Sequence, residues 1–312
     1  MNPFSIAIHG GAGTLLKGQM TLEKEETYKS ALHSALNVGY EILSKGGTSL
    51  DAVTASVMEL EDTPLFNAGR GSVFTAEGNH EMDAALMEGK DLKAGAVSLI
   101  SGIKNPRSLA RDVMQKSEHV FLAAEGAMQF ARSLGYKIED ESYFYDDFRY
   151  NQWQKIKGSD HFQLDHSVQK ETKFGTVGAV ACDIYKNVAA ATSTGGMTNK
   201  KWGRIGDSPI IGAGNYANNA TCAVSCTGSG EFFIRGVVAY DVSCLMEYKG
   251  LSLIDAANEV IHHRILKLGG DGGLIAVDAL GNIAMPFNTE GMYRGLKTSS
   301  GLEMVAIYTE HV

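Results

Sequence analysis

The sequence predicts a layered α/β protein in which helices cover two β-sheets, and three observations point to this fold. Short strand-like runs cluster along the chain and alternate with segments whose apolar residues recur at helical spacing. Neighbouring runs are separated by short turns, so most strands are expected to connect as hairpins. Glycine is abundant, at 36 of 312 residues, while proline is scarce, at 5, which is typical of tight turns and close backbone approaches.

The first part of the chain is predicted to begin with a buried strand over 5–9, which ends at a run of glycines. Apolar residues at helical spacing indicate a helix over 22–43, and Gly46-Gly47 ends it. The further elements predicted here are a helix from Ser49 to about Leu60, strands at 80–87 and 94–101, and helices at 106–116 and 122–134.

A polar segment follows, from about 137 to 173. It is rich in Asp, Glu, Lys, Gln, Tyr and Ser, and its apolar residues show no period. We interpret it as a long surface connection or a flexible linker.

The remaining part of the chain is predicted to open with two paired strands, at 175–181 and 188–194, joined by a turn near Lys186-Asn187. Further strands are predicted at 209–213, 221–227, 273–278 and 282–286, and helices at 230–247 and 252–266. No internal repeat is visible. The pattern Gly212-x-Gly214-x-x-Ala217 resembles a dinucleotide-binding loop, but no helix is predicted to follow it, so that reading is disfavoured.

Composition excludes several classes of function. The net charge is −8 and no run of Lys and Arg exceeds two residues, which argues against a nucleic-acid partner. No apolar stretch approaches the ~18 residues of a membrane span, and the first residues lack the features of a secretory signal. We therefore expect a cytoplasmic protein whose four cysteines are reduced and serve as small apolar side chains.

Three threonines stand beside glycines at predicted strand ends, namely Thr176, Thr194 and Thr227. Any one of them is typical of an ordinary strand and turn. Together they would converge in one pocket, and the turn at 227–231 would add free backbone N–H groups at a helix start, which suit an oxyanion or a carboxylate.

These threonines belong to a series of motifs that resembles the plant-type L-asparaginases, or isoaspartyl peptidases, which are N-terminal-nucleophile (Ntn) hydrolases. The motifs are His9-Gly10-Gly11-Ala12-Gly13, Pro64-Leu65-Phe66-Asn67-Ala68-Gly69-Arg70-Gly71, Gly175-Thr176-Val177-Gly178-Ala179-Val180, Ser193-Thr194-Gly195-Gly196, Gly203-Arg204-Ile205-Gly206-Asp207-Ser208-Pro209, Ser225-Cys226-Thr227-Gly228 and Pro286-Phe287-Asn288-Thr289-Glu290-Gly291-Met292. The resemblance covers essentially the whole chain except 137–173. It implies one αββα Ntn-hydrolase domain over 1–312.

The resemblance also implies autocatalytic cleavage between Gly175 and Thr176, which gives an α chain of 1–175 and a β chain of 176–312. The physical reason is that a threonine hydroxyl is a poor nucleophile unless a base lies beside it. Cleavage gives Thr176 its own α-amine, whose pKa of about 7.7–8.0 leaves much more of it neutral at pH 7 than a lysine at about 10.4. One residue then supplies both nucleophile and general base.

Other roles are carried over from the family motifs. Thr194 would contact the nucleophile, and Thr227 with the N–H of Gly228 would form the oxyanion hole. Arg204 would bind the substrate α-carboxylate as a bidentate fork, and Asp207 would bind the α-ammonium. The implied substrate-binding set is Arg204, Ile205, Gly206, Asp207, Thr227, Gly228, Ser229 and Gly230.

The resemblance further places Asn67 near the cleavage site and implies a structural sodium ion, no organic cofactor and a dimer of αβ units. The ion would be bound by the main-chain carbonyls of Leu60, Glu61, Thr63, Phe66, Ala68 and Arg70. Backbone ligands leave almost no pattern in the side chains, so this site depends on the resemblance alone.

The function implied is hydrolysis of isoaspartyl dipeptides and L-asparagine, with release of L-aspartate. A glycosylasparaginase is one alternative, but Asp precedes the nucleophile in that pattern, where this chain has Gly175. A threonine endopeptidase is disfavoured because Arg204 and Asp207 suit a small zwitterion. A non-catalytic binding protein of the same fold is a third alternative.

Overall fold

Two β-sheets lie face to face at the centre of the protein, and helices cover their outer faces. The computed structural model describes residues 2–13, 15–158 and 175–309. The strands are β1 (Ser5–Gly13), β2 (Met82–Glu88), β3 (Ala94–Ile100), β4 (Phe121–Ala123), β5 (Val177–Cys182), β6 (Val188–Thr194), β7 (Asn215–Ala217), β8 (Cys222–Gly228), β9 (Gly272–Asp278), β10 (Ile283–Ala284), β11 (Gly291–Thr298) and β12 (Glu303–Tyr308).

The helices are α1 (Leu22–Ser44), α2 (Ser49–Asp62), α3 (Pro106–Lys116), α4 (Ala124–Ser133), α5 (Glu141–Phe144), α6 (Asp147–Ile156), α7 (Gly230–Gly236), α8 (Val238–Lys249) and α9 (Leu253–Asn258). A π-helical segment, Glu259–Ile265, continues α9, and Gly69–Gly71 forms one 3₁₀ turn. Within the three ranges that the structure describes, no helix has both the length and the apolar character that a membrane span requires.

The larger sheet has eight strands in the order β12-β11-β1-β5-β6-β2-β3-β4, and the smaller one has four in the order β10-β9-β8-β7. All pairs are antiparallel except β3 with β4. Helices α1, α2 and α3 pack on the larger sheet, and α8 and α9 pack on the smaller. The predicted αββα architecture is confirmed.

Three apolar layers hold these elements together. One lies between α1–α3 and the larger sheet, one between the two sheets, and one between the smaller sheet and α8–α9. Strands β5 and β6 are buried on both faces, which explains why small and apolar residues follow one another in them without alternating with exposed polar ones. Because packing on both faces holds these strands, it also holds in position the residues at their ends, where the candidate site lies.

The segment predicted as a linker is a linker only in part. Up to residue 158 it folds as α5 and α6, and Phe144 and Trp153 are buried. Trp153 stacks on Phe74 at a ring-centroid distance of 5.5 Å, and Tyr145 and Tyr150 contact the same ring edge-on. The prediction of an irregular surface segment is wrong here because this packing comes from a distant residue and leaves no local period. The remainder of the predicted linker, up to 173, lies outside the described residues.

The predicted strand at 209–213 is also wrong. Residues 207–214 form consecutive turns, in which the Ile210 and Gly214 N–H groups donate to the Asp207 and Ile210 carbonyls, and the strand is β7 instead. Glycines at 212 and 214 favour the turns over the apolar run. Because this segment leads into a strand and not a helix, it is not a dinucleotide-binding loop.

Further differences concern element ends. The helix predicted at 230–247 is two helices, separated by Val237 in the left-handed region (φ 47°). Strands β4, β11 and β12 were not predicted, and β1 continues through the glycines after residue 9 to Gly13, with a register shift between His9 and Gly11. This bulge changes the direction of the strand beside the candidate site.

Candidate active site

The hydroxyl of Thr176 lies at the meeting point of three segments. Thr176 directly precedes β5, and the register of Val177 with Ser193 brings Thr194, at the end of β6, alongside it. Thr176 Oγ1 donates to Thr194 Oγ1 at 3.1 Å, and it is 3.2 Å from Ser208 Oγ. Thr176 is only 8% exposed. The structure thus brings together two of the threonines singled out in the sequence, and adds a serine.

The third threonine lies against the predicted cleavage site. A Cβ placed on Gly175 would be 2.9 Å from Thr227 Oγ1, and one on Gly11 would be 2.5 Å from the nitrogen of Gly175. Gly11 has φ +111°, and Thr227 Oγ1 accepts the N–H of Ala12 at 3.3 Å. The Gly175–Thr176 junction therefore runs through a passage formed by β1 and β8 that has no room for a side chain at 11 or 175.

The guanidinium of Arg204 is held by a carboxylate of this chain. Its Nε and Nη2 donate to the two carboxylate oxygens of Glu231 at 2.8 and 2.9 Å. Glu231 thus takes the Nε hydrogen and one Nη2 hydrogen. The two hydrogens on Nη1 and the second one on Nη2 point toward the other side of the guanidinium, where they can bind another acceptor. The pairing holds the Arg204 side chain in place and also lowers the pKa of Glu231, which burial alone would raise.

Asp207 is a buried carboxyl that lacks a full set of partners. Burial raises its pKa to about 7, and its Oδ2 accepts no hydrogen bond from the residues that the structure describes. A Cβ on Gly230 would lie 2.9 Å from Arg204 Nη2 and 3.0 Å from Asp207 Oδ1. Glycine at 230 thus lets the start of α7 pack closely against both the guanidinium and the carboxyl group.

Comparison with known proteins identifies the family. The family model described as Asparaginase matches residues 1–307 of this chain. The chain belongs to the asparaginase family. Among its relatives are isoaspartyl peptidases of Salmonella typhimurium, 50% identical over 99% of this chain and 100% of the relative, and of Escherichia coli, 50% identical over 98% and 96%. The isoaspartyl peptidase/L-asparaginase of Homo sapiens is 41% identical over 94% of this chain and 92% of its own. The predicted family is confirmed.

Three other predicted substrate-binding residues of this asparaginase-family chain, Ser229, Ile205 and Gly228, lie near Arg204 or Thr227 in the chain. Ser229 is tied to Asp271 through both its N–H and its hydroxyl. Ile205 is half-buried, between Arg204 and the buried Gly206. Gly228, with φ +155°, ends β8 beside Thr227. Their roles toward substrate stay predictions.

Asn67 is one step removed from the cleavage site. Its Nδ2 donates to the carbonyl of Gly196 at 2.6 Å, and its carbonyl accepts the N–H of Gly195 at 3.0 Å. Its Oδ1 accepts the N–H of Val73 at 3.1 Å. Asn67 therefore holds the turn that follows Thr194, and any effect on Thr176 passes through that turn.

The six residues of the predicted sodium site extend from the last turn of α2 to the 3₁₀ turn. A Cβ on Gly69, which has φ +52°, would overlap the carbonyl of Glu61, and one on Gly71 would overlap that of Phe66. Glycine at 69 and 71 thus lets the backbone pass close to the carbonyls of Glu61 and Phe66, two of the predicted ligands. Within the described ranges, no three His, Cys, Asp or Glu side chains could hold a metal ion.

Four polar residues of the site were not assigned a role from the sequence. Ser208 contacts Thr176 Oγ1, Glu231 holds Arg204, and His9 and Ser225 form a buried pair next to the carbonyl of Thr176. A signal was present for Ser208, His9 and Ser225, since each stands in one of the quoted motifs, but their contacts could not be read from it. These contacts, like that of Glu231 with Arg204, join distant segments.

Proposed function

We propose that this chain is a self-processing threonine amidohydrolase that hydrolyses isoaspartyl dipeptides and L-asparagine and releases L-aspartate. The observation that carries the proposal is the contact of Ser208 with Thr176 Oγ1, because it puts the segment that contains Asp207 and Arg204 directly against the hydroxyl. The names of the relatives, isoaspartyl peptidase and isoaspartyl peptidase/L-asparaginase, support the same substrates.

The surroundings of Thr176 explain why its α-amine is needed. In the described part of the chain, the recorded hydrogen bonds of Oγ1 go to two hydroxyls, neither of which is a base at neutral pH. His9 is nearby, but it faces the carbonyl of Thr176 and not Oγ1. Cleavage at Gly175 would supply the missing base as the new terminal amine.

In the proposed reaction the amine accepts the proton of Oγ1, and Oγ1 attacks the side-chain carbonyl of the substrate. The oxyanion accepts hydrogen bonds from the Thr227 hydroxyl and the Gly228 N–H, each worth about 10²–10³ in rate. The amine then gives its proton to the leaving nitrogen, and the C–N bond breaks. Water hydrolyses the remaining ester and frees L-aspartate and the hydroxyl.

Self-processing uses the same hydroxyl before the amine exists. Oγ1 attacks the carbonyl of Gly175, the proton of Oγ1 passes to the peptide nitrogen, and this nitrogen leaves as the amine of Thr176. Water then hydrolyses the ester. Purified protein is expected to yield two fragments, of residues 1–175 and 176–312, on a denaturing gel, and terminal sequencing should find Thr176 first in the smaller one. Protein kept in denaturant should stay whole, because the attack needs the folded junction. An intact chain that hydrolyses substrate at full rate would contradict the mechanism.

The direct test of the function is release of L-aspartate from a β-aspartyl dipeptide by the matured protein. Matured protein with an intact Thr176 terminus that releases none would overturn the proposal.

We also propose the sodium ion, the dimer of αβ units and the cytoplasmic location, all on the resemblance to the family. The close approach of the Glu61 carbonyl to Gly69 and of the Phe66 carbonyl to Gly71 supports the ion. Because an ion that binds only the folded state stabilises it, replacing sodium chloride by choline chloride at equal ionic strength should lower the melting temperature. An unchanged melting temperature would argue against an ion in this loop.

A further inference from the structure

We propose that His9 is a positioning residue that holds the main chain of Thr176, so that the hydroxyl and the freed amine keep the geometry for attack. The inference rests on the proposed role of Thr176 as nucleophile, and it assigns a function to a histidine that takes no part in the steps above.

His9 connects the two sheets directly behind the nucleophile. It lies on β1, where it pairs with Gly178 of β5, and its side chain is completely buried. Its Nδ1 is 2.9 Å from the carbonyl oxygen of Thr176, and its Nε2 is 2.9 Å from Ser225 Oγ on β8 of the smaller sheet. One imidazole thus links the residue before β5 to the facing sheet.

The hydrogen bonds of this group have one direction. A carbonyl oxygen only accepts, so Nδ1 of His9 carries the hydrogen, and Nε2 of the neutral ring must accept from Ser225. Because the Ser225 hydrogen is used, Thr192, at 2.8 Å, donates to Ser225, and Asn215 Nδ2 donates to Thr192 at 2.9 Å. Four buried polar groups therefore fix the tautomer that donates to Thr176.

The local sequence leaves space for this group. A Cβ on Gly178 would overlap both Ser225 Oγ and His9 Nε2. Glycine at 178, in the middle of an otherwise apolar strand, thus has a specific reason, since alanine would separate the ring from its partner.

The ring acts through geometry and not through proton transfer. Burial lowers the pKa of His9 to about 3, so the imidazole is neutral at any pH where the enzyme would work. It also faces the carbonyl of Thr176, while Oγ1 faces Thr194 and Ser208.

The need for such a contact is greatest after cleavage. Thr176 is then attached only through its own carbonyl, and ladder pairing with β6 begins at Val177. A hydrogen bond to the Thr176 carbonyl fixes the peptide plane from which its Cα, hydroxyl and amine project. Without it, rotation about this plane would move the reacting atoms.

Two substitutions test the contacts of the two ring nitrogens separately. In His9→Asn the amide can still donate to the carbonyl of Thr176, whereas in His9→Gln the amide reaches toward Ser225 and that donor is lost. We expect His9→Asn to keep kcat within about tenfold and His9→Gln to lose about 100-fold, the cost of a displacement of about 1 Å. The KM for a β-aspartyl dipeptide should stay within about twofold, since Arg204 and Asp207 are untouched. Each kcat is measured per matured Thr176 terminus.

Thr221→Val is the matched control. It removes a buried hydroxyl pair with Ser243, 2.6 Å apart, just before β8 and at the far end from the site. It should lower the melting temperature and leave kcat unchanged. If His9→Gln behaves in the same way, with a lower melting temperature but unchanged kcat per terminus, the proposal is overturned.

Two further measurements cover the remaining outcomes. If His9→Gln does not fold, the double variant His9→Phe/Ser225→Ala replaces it. This variant removes the donor to Thr176 and also the Ser225 hydroxyl that would otherwise lose its partner. The same loss of kcat is expected, and an unchanged kcat overturns the proposal. If the matured wild type releases no aspartate, the proposed function fails separately. The rate of self-cleavage then tests the positioning role of His9. Slower cleavage in His9→Gln than in wild type supports this role, and equal rates refute it.

Discussion

Thr176→Ala is expected to remain a single chain and to lose detectable hydrolysis of β-aspartyl dipeptides and L-asparagine. Self-cleavage and hydrolysis both start from the same hydroxyl. The neighbouring hydroxyls of Thr194 and Ser208 do not replace it, because neither residue gains a terminal amine when the Gly175–Thr176 bond is cut. The loss in kcat should exceed 10³-fold, because removing a covalent nucleophile typically costs about 10⁴–10⁶ in kcat. Intact mass and aspartate release measure the two effects.

Two variants make this result specific. Thr176→Ser keeps the hydroxyl and should retain part of both activities. Thr221→Ala makes the same change in a buried threonine away from the site, and should be processed and active. Efficient cleavage of the Thr176→Ala chain would show that another residue cuts it, and the assignment of the nucleophile would fall.

The sequence predicted best the elements whose pattern is local. The β5–β6 hairpin was placed within two residues at each end, because two apolar runs flank a turn at Lys186, where φ is +65°. Strand β11 was missed because glycine and charged residues interrupt its apolar pattern, and its neighbour β12, at the edge of the sheet, was missed with it. The aromatic packing of α6 on Phe74 was missed because its two halves lie far apart in the chain.

The same distinction applies to the site. Thr176 and Thr194 could be expected to meet once β5 and β6 were known to pair. The bidentate contact between Arg204 and Glu231 joins a turn to the first helical residues of α7, and the contact between His9 and Ser225 joins two sheets. No spacing in the sequence encodes such contacts, since they depend on how the layers pack.

The second large effect is expected from the two charges of the substrate pocket. In the proposed binding mode a β-aspartyl substrate presents its free α-carboxylate to the part of the Arg204 guanidinium that Glu231 leaves open, and its free α-ammonium to Asp207. Blocking either group removes one of these two contacts. The cost should be about 2–5 kcal/mol in kcat/KM. We expect the β-aspartyl dipeptide to be cleaved, and its α-linked isomer and N-acetylated analogue to be rejected. Comparable kcat/KM for all three would favour an endopeptidase.

Arg204→Lys should be similarly impaired. The planar guanidinium can bind Glu231 with one edge and the substrate carboxylate with another, whereas the single ammonium of lysine cannot make both bidentate contacts. Arg264→Lys is its matched control. Arg264 binds Asp241 at 2.6 and 2.9 Å in a partly exposed pair that has no recorded contact with the site, and its replacement should leave kcat/KM unchanged.

Asp207 gives this pocket a dependence on pH whose sign can be worked out. Its pKa is raised by burial to about 7 from 3.8, and only the carboxylate form pairs with an ammonium, so the inhibition constant of L-aspartate should rise as the pH falls below about 7. The folded state binds this proton more tightly than the unfolded chain, so the free energy of unfolding falls as the pH rises from about 4 to 7. Asp207→Asn removes that cost. It should therefore abolish the pH dependence of inhibition and lose activity while melting at a higher temperature than wild type at pH 8. If Asp207→Asn instead melts at a lower temperature than wild type at pH 8, its inactivity follows from destabilisation. That result would contradict the assignment of Asp207 as the ammonium ligand.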